Sequence, residues 1–422
     1  MLIHRTPIAV SHAIQKIIDK VTPLGNESIP MEEALGRILG EPICASHDVP
    51  AFNRSPYDGF AVRSRDTKGA SGNSRIPFTV IDQLGAGEVP MKRVGKNEAI
   101  RVMTGAKLPD DVDAVIMFEQ TSQMDNTFTI RKPFQSLENV SLQGEDVKKG
   151  EIILEKGTYI TPGVIAVLAT FGYTYVSVAK RPTVGIFATG SELLDASAKL
   201  EPGKIRNSNG PMIIAQLQKL GVEVRYLGIL PDDLTLCYNK IKHASQEYDA
   251  VITTGGVSVG DFDYLPQVYE QLGAEVLFNK VKMRPGSVTT VAYSKDTDTL
   301  LFGLSGNPSA CFVGFELFVR PAVRCMLQSP KLYLPYTKAI LNADYPKANP
   351  FTRFILAIYE STPEGCFVIP AGFTKSNAVS AIAKGNALIV LPSGTRGFEK
   401  GTTVDVLLLG QEDGSDTWCV NE

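Results

Sequence analysis

Five short segments of this chain concentrate the residue types that handle phosphates and hard cations. They are TGSEL (Thr189–Leu193), PDD (Pro231–Asp233), TTGGVSVGDFDY (Thr253–Tyr264), MRPG (Met283–Gly286) and GLSGNPS (Gly303–Ser309). In the third, Gly255 and Gly256 let backbone N–H groups approach an anion with no Cβ in the way, and a helix expected just beyond adds its positive end. GLSGNPS supplies a second cradle, with Gly306, Asn307 and Ser309 as candidate binding residues; Asn307 is also placed to cap a helix that Pro308 opens. Taken alone, either loop reads equally as the turn of an ordinary strand–helix connection. Neither matches a GxxxxGK[ST] phosphate loop or a GxGxxG dinucleotide turn.

Carboxylates complicate an anion cradle. Glu192, Asp232, Asp261 and Asp263 all fall in these loops, and unshielded they would repel a phosphate. A bound Mg²⁺ resolves the conflict, because a hard cation takes oxygen ligands from protein and phosphate alike. Each carboxylate alone is equally a solvated charge or a helix cap. Arg284 and Lys280 lie near the end of the strand EVLFNKV and its turn, where a planar guanidinium suits an oxyanion. His4, His12, His47 and His243 stand near no such grouping, and no Ser-His-Asp or Cys-His arrangement can be argued.

These loops need a scaffold that gathers them. From Arg181 to about Gln328, apolar strands (TVGIFAT, VEVRYLGIL, YDAVITT, EVLFNKV, VTTVAY, TLLFGL) alternate with helical stretches at Gly210–Leu220, Leu234–Ser245, Tyr264–Leu272 and Pro308–Leu327. Near-continuous apolar strands with intervening helices predict a doubly wound, largely parallel sheet covered on both faces. Ligands bind such sheets at the carboxyl ends of the strands, where all five loops fall. Before this region, residues 46–140 are short β-branched segments, a small β-rich unit in which SPYDGFAV (Ser55–Val62) and RVMTGAKLPDDVDAVI (Arg101–Ile116) read as hairpins. At the N-terminus, Thr6-Pro7 reads as a helix start, and a second helix is expected from Pro30 to Leu39 with Leu35, Ile38 and Leu39 inward. GVIAVLATFG is helical, with Gly172 as its stop. Beyond Ser329 helical periodicity is absent, and TKAILNADY, FTRFILAIYE, CFVIPAG, NALIVLPSG and TTVDVLLLG predict a small barrel or sandwich.

Composition bounds the function. With 422 residues, 44% hydrophobic and 21% charged, the chain has ordinary globular usage and room for about three domains. No apolar run approaches the ~18 residues of a membrane span, and the N-terminus lacks a signal-peptide core. The net charge of −3 comes without a basic stripe, which argues against nucleic acid. Six scattered cysteines without a CxxC pair fit reduced thiols, so a cytoplasmic location is expected.

The motifs DVPAFNRSPYDGFAV, IRVMTGAKLPDDVDAVIMFEQ, GEDVKKG, FATGSEL, LGILPDD, TTGGVSVGDFDY, MRPG and GLSGNPS occur in one order along essentially the whole chain. In these the sequence resembles the molybdopterin molybdenumtransferases, to which the C-terminal region of gephyrin is also similar. The resemblance implies a homodimer of four-domain subunits: domain I from residues 1–45 and 143–178, domain II (46–142) as the β-rich insert, domain III (179–328) as an α/β unit like the molybdopterin adenylyltransferases, and domain IV (329–422) as a β-barrel. The implied activity is insertion of molybdate into adenylylated molybdopterin, with release of AMP and with substrate handed over by a molybdopterin adenylyltransferase. The resemblance gives Asp58 and Thr104 functional roles across the dimer, makes Glu192, Asp232 and Asp263 acidic positions tied to activity and Mg²⁺, sets Arg284 near the oxyanion, and lines the pterin phosphate site with Gly255, Gly256 and Ser258.

Three departures stand out. The family's [KR]PGKP turn reads RPGSV, its GLPGNPxS reads GLSGNPSA, and SLQGED carries no basic residue before GED. An ammonium and a hydroxyl missing from a desolvated oxyanion site would each cost about 1–3 kcal/mol, with Ser287 and Ser309 as partial replacements. That leaves as an alternative a weakened paralogue that binds a pterin or nucleotide, acts as a scaffold, or hydrolyses a nucleotide pyrophosphate.

Overall fold

The computed structural model describes residues 6–256, 264–410 and 414–420. The chain divides into two compact units, one formed by residues 41–156 with 162–174 and the other by the remainder.

The smaller unit is built on a six-stranded sheet. Its order is Ala114–Met117, Gly59–Val62, Glu98–Val102, Ile76–Leu84, Thr127–Ile130, Thr121–Met124. Phe60, Phe78 and Phe128 stack in its core with ring centroids 4.0 and 5.3 Å apart. Burying each is worth about 1.5–3 kcal/mol. Strand Gly59–Val62 lies antiparallel between Glu98–Val102 and Ala114–Met117. The two motifs expected to be hairpins are therefore not closed on themselves, because each pairs with the other. A Cβ at Gly59 would overlap the Ile116 carbonyl, so this close pairing admits glycine alone. The helix Pro162–Thr170 also belongs here, and Gly172 stops it in the left-handed conformation, as expected.

The larger unit contains the α/β sheet. Its strands are β1 (Thr183–Thr189), β2 (Glu223–Leu230), β3 (Ala250–Thr254), β4 (Glu275–Phe278), β6 (Thr290–Ser294) and β7 (Thr299–Leu304), in the order β2-β1-β3-β7-β6-β4. The strands β2, β1, β3 and β7 are mutually parallel, whereas β6 runs antiparallel to both of its neighbours. One face is covered by helices α2 (Leu234–Glu247) and α3 (Leu265–Gln271), through Cys237, Ile241, Leu265 and Val268. The other is covered by α1 (Asn209–Lys219), by the helix Val10–Ile18 and by Pro308–Met326. This is the doubly wound, largely parallel sheet expected. The last helix is interrupted by a π segment, Phe315–Val319, just ahead of Pro321, which has no N–H to continue the α pattern.

Five strands close a C-terminal barrel: β8 (Tyr336–Leu341), β9 (Thr352–Thr362), β10 (Gly365–Pro370), β11 (Ala387–Leu391) and β12 (Thr403–Leu408). The order β9-β10-β8-β12-β11 is completed by β11 pairing back onto β9, so a barrel, not a sandwich, forms. A sixth, two-residue strand, β5 (Met283–Arg284), runs parallel to β9 with Arg284 opposite Arg353. One helical turn, Ser380–Lys384, interrupts the expected all-β pattern.

Two N-terminal expectations fail for local reasons. The first helix begins at Val10 rather than at Pro7, because Ile8 is bridged to the chain at Lys280 and Lys282. Between Pro30 and Leu39 only Met31–Glu33 is helical, as a 3-10 turn, and Gly36 then takes φ +78°. Ile38 and Leu39 are buried as expected, but Leu35 is 56% exposed. Among the described residues, no helix is long and apolar enough to cross a membrane.

Candidate functional site

The carboxyl ends of β1, β2, β3 and β7 open into a cleft of about 780 Å³. Glu192, Asp232, Gly255, Gly256, Gly306 and Asn307 line it, so four of the five predicted loops meet there. Asp232 is held in place by Ser191, whose backbone N–H donates to its Oδ2 at 3.1 Å. Its own N–H donates to the Ser191 hydroxyl at 3.3 Å. Asp233, by contrast, caps α2 by accepting the Leu236 N–H at 2.7 Å. The glutamate carboxylate folds back over Gly190 and is exposed to the cleft.

Gly255 adopts φ +93°, and a Cβ on it would stand 2.5 Å from the Thr189 carbonyl oxygen. Its N–H donates to Leu304 at 2.9 Å, continuing the sheet. Gly255 therefore acts by its missing side chain and not as an anion donor, which corrects the simple cradle reading. The Gly256 N–H has no acceptor among the described residues. Asn307 occupies the N-cap position but makes no side-chain cap bond, so the capping expectation fails and its carboxamide is left beside the cleft. Asn207 and Asn209 also line this cleft. Asn209 donates from Nδ2 to the Gly306 carbonyl at 2.9 Å, bracing the second cradle from α1.

Arg284 lines a second hollow of about 460 Å³ that shares Val288, Ser305, Asn307 and Asn377 with the first. Its other cations, Lys347, Arg353 and Lys375, come from the barrel. No carboxylate lines it, and none of the four cations has an ion-pair partner among the described residues. Arg284 and Arg353 are register partners in the parallel β5–β9 pair, with their guanidinia over Phe351 and Tyr345 respectively. The Nε of Arg353 is buried without a hydrogen-bond partner. Ser287 and Ser305 add hydroxyls to the wall. The short RPGSV turn thus does not measure the charge of the site, because the barrel contributes most of it.

In the smaller unit Asp58 and Thr104 meet. Asp58 Oδ1 accepts the Thr104 N–H at 2.7 Å and its hydroxyl at 2.9 Å. These two bonds, with the charge of Arg101 behind them, hold the exposed carboxyl below its usual range. Arg101 is itself packed 4.4 Å over the Phe118 ring.

Two candidates fall elsewhere. Ser309 is buried and donates its hydroxyl to the Ala378 carbonyl at 2.7 Å, so it braces the helix start against the barrel instead of replacing a lost ligand. Lys280 lines neither hollow, and its carbonyl accepts the Ile8 N–H at 3.2 Å. Ser258, Asp261 and Asp263 lie outside the described residues. Among the described residues no group of three or more metal-ligating side chains forms. Two carboxylates, Glu192 and Asp232, nevertheless suit Mg²⁺, which is commonly bound by one or two carboxylates together with substrate phosphates.

Three family matches cover most of the chain. The MoeA N-terminal region (domain I and II) matches residues 8–172, a probable molybdopterin binding domain matches 185–325, and the MoeA C-terminal region (domain IV) matches 338–409. Proteins named molybdopterin molybdenumtransferase from Staphylococcus epidermidis (strain ATCC 35984) and Staphylococcus aureus (strain Mu50) are each 56% identical over 404 residues, 96% of this chain and 96% of theirs. The crystal structure of the molybdopterin biosynthesis moeA protein from Pyrococcus horikoshii OT3 is similar with a TM-score of 0.82 at 31% identity, covering 96% of this chain and 100% of that one. Sharing length, domain order and fold with these proteins, the chain belongs to the molybdopterin molybdenumtransferase family.

Proposed function

We propose that this chain inserts molybdenum from molybdate into adenylylated molybdopterin and releases AMP, a step of molybdenum cofactor biosynthesis. One observation carries the reading: two adjoining hollows of opposite character share a wall. The larger is rimmed by carboxylates and glycine turns; the smaller is lined by four cations and no carboxylate. A ligand with a diphosphate at one end and a metal-accepting group at the other would span them.

In this reading the Gly256 N–H and the Gly306–Asn307 turn grip the diphosphate, and Ser258 is assigned to the same ligand. Glu192 and Asp232, together with Asp263, would hold Mg²⁺, which when bound neutralises charge on the phosphoanhydride. Arg284 and Arg353 hold molybdate beside the dithiolene, and Ser287 and Ser305 offer it hydroxyls. No protein nucleophile is needed, since fixing two anions in contact and countering their charge is the protein's task. Asp58 and Thr104, fixed to each other, complete the site from a second subunit, which makes the active form a homodimer. The four-domain division given above, the hand-over from a molybdopterin adenylyltransferase and a cytoplasmic location complete the proposal. The full-length relatives at 56% identity favour this transferase over a scaffold or hydrolase.

The test is to incubate the protein with adenylylated molybdopterin, Mg²⁺ and molybdate and to quantify AMP by chromatography. Release that depends on molybdate is expected. Release at the same rate without molybdate, or none with it, would overturn the assignment.

A further inference from the structure

Beyond the two arginines, the cationic hollow contains a lysine whose surroundings are built. Lys347 donates from Nζ to the Thr374 hydroxyl at 3.0 Å. Its ammonium lies 5.7 Å from the centroid of the buried Tyr345 ring, and the Arg353 guanidinium lies 5.8 Å from the same centroid. Two cations are thus carried on one ring, and neither has a carboxylate within ion-pair distance among the described residues. A surface lysine ordinarily reaches water or a carboxylate, and its four-carbon stem is costly to immobilise. Lys347 is exposed, but its ammonium is directed by a neutral hydroxyl and a ring, which orient it without discharging it. Arg284, on the strand that pairs with that of Arg353, has its guanidinium 5.9 Å from the Phe351 ring centroid. An anion entering the hollow meets charge from both strands.

We propose that Lys347 is an affinity-determining ligand for the oxyanion, with Thr374 as its positioning residue. The inference rests on reading this hollow as the molybdate site. It assigns to a barrel loop a charge that the Arg284–Val288 turn, with Ser287 after its glycine, does not carry. The ligand class is a tetrahedral dianion, since Arg284 and Arg353 together supply two positive charges, with Lys347 and Lys375 beside them and no carboxylate in the lining.

Isothermal titration of the full-length protein with sodium molybdate tests it, alongside a separate titration with adenylylated molybdopterin. Lys347→Met is expected to raise the molybdate Kd about tenfold or more, as for loss of one charge-assisted hydrogen bond. Lys347→Arg should stay within about threefold of the parent protein, because the charge is kept. Thr374→Val should raise the Kd by an intermediate factor and, unlike Lys347→Met, leave the salt dependence of binding intact. Pterin affinity should be the same in all of them. An unchanged molybdate Kd in Lys347→Met, with pterin affinity also unchanged, would overturn the role of Lys347 and leave the hollow's assignment standing. Failure of the parent protein to bind molybdate at all would remove both.

Discussion

Replacing Arg353 by methionine separates a residue kept for binding from one kept for stability, because the two roles predict opposite signs. The change loses a stacking contact on Tyr345, at 5.8 Å, worth about 0.5–1 kcal/mol. It also loses a long bond from Nη2 to the Ala348 carbonyl, at 3.4 Å. Against this, it removes an Nε that is buried without a partner, a burden of about 1–3 kcal/mol. Methionine fills the space with a flexible apolar chain. The net expectation is a protein more stable by about 1 kcal/mol, which for a domain of this size raises Tm by roughly 2–4 °C. The same variant should lose about 10- to 100-fold in kcat/KM for molybdate, as expected when a charged oxyanion contact of about 1.5–3 kcal/mol is removed. Thermal unfolding and molybdate-dependent AMP release, measured over a range of molybdate concentrations, read the two effects. A Tm several degrees lower with an unaltered KM for molybdate would show Arg353 to be a structural residue and refute the anion reading of the hollow.

The remaining expectations concern the other parts of the site. The Asp58 carboxyl is held low by Thr104, so its NMR titration midpoint should lie below the ordinary 3.8; Thr104→Val, which keeps the N–H donor and deletes the hydroxyl, should move it upward. A depressed carboxylate contributes stability above its unfolded pKa and loses it as pH falls through the folded one, so the Asp58–Thr104 link should persist through neutral pH and fail only in acid. A midpoint at or above 3.8 would contradict the geometry. Gly255→Ala places a Cβ 2.5 Å from the Thr189 carbonyl oxygen at φ +93°; the left-handed backbone alone costs about 1–2 kcal/mol, so denaturant unfolding should show at least that loss. Chelation of divalent cations should abolish AMP release, and Glu192→Gln or Asp232→Asn should raise the Mg²⁺ concentration for half-maximal rate about tenfold, the effect of one lost charged contact; full activity in chelator would exclude a metal role for both carboxylates.

The strands TVGIFAT, YDAVITT and TLLFGL were legible because buried parallel strands are apolar along their whole length, and the loops that follow them hold the glycines and carboxylates of the cleft. The five C-terminal strands were equally plain in their β-branched runs, although closure into a barrel depends on β11 finding β9, a pairing that no local pattern encodes. Leu35 misled because apolar spacing suggested a helix where Gly36 turns the chain. Asp58 and Thr104 were chosen by resemblance alone, and their bond arises from two strands distant in sequence lying side by side. The cationic hollow is only partly visible in the sequence. The Arg284 turn could be read directly, but Lys347, Arg353 and Lys375 sit in stretches whose local pattern is that of an ordinary barrel and its loops. Their meaning comes from facing that turn, which is a tertiary fact. The deficit expected from Ser287 is that of the turn alone, since charge in a hollow is supplied by whichever walls surround it.

The two-residue strand Met283–Arg284 grows out of the α/β layer yet hydrogen-bonds to the barrel. No single module owns the cationic hollow; it comes into being only once both have folded and docked. A chain truncated after Gln328 would lose Lys347, Arg353 and Lys375 from that hollow and, with Asn377 and Val379, part of the wall of the neighbouring cleft as well. Under the proposed function, an oxyanion could therefore be held only after both modules have docked.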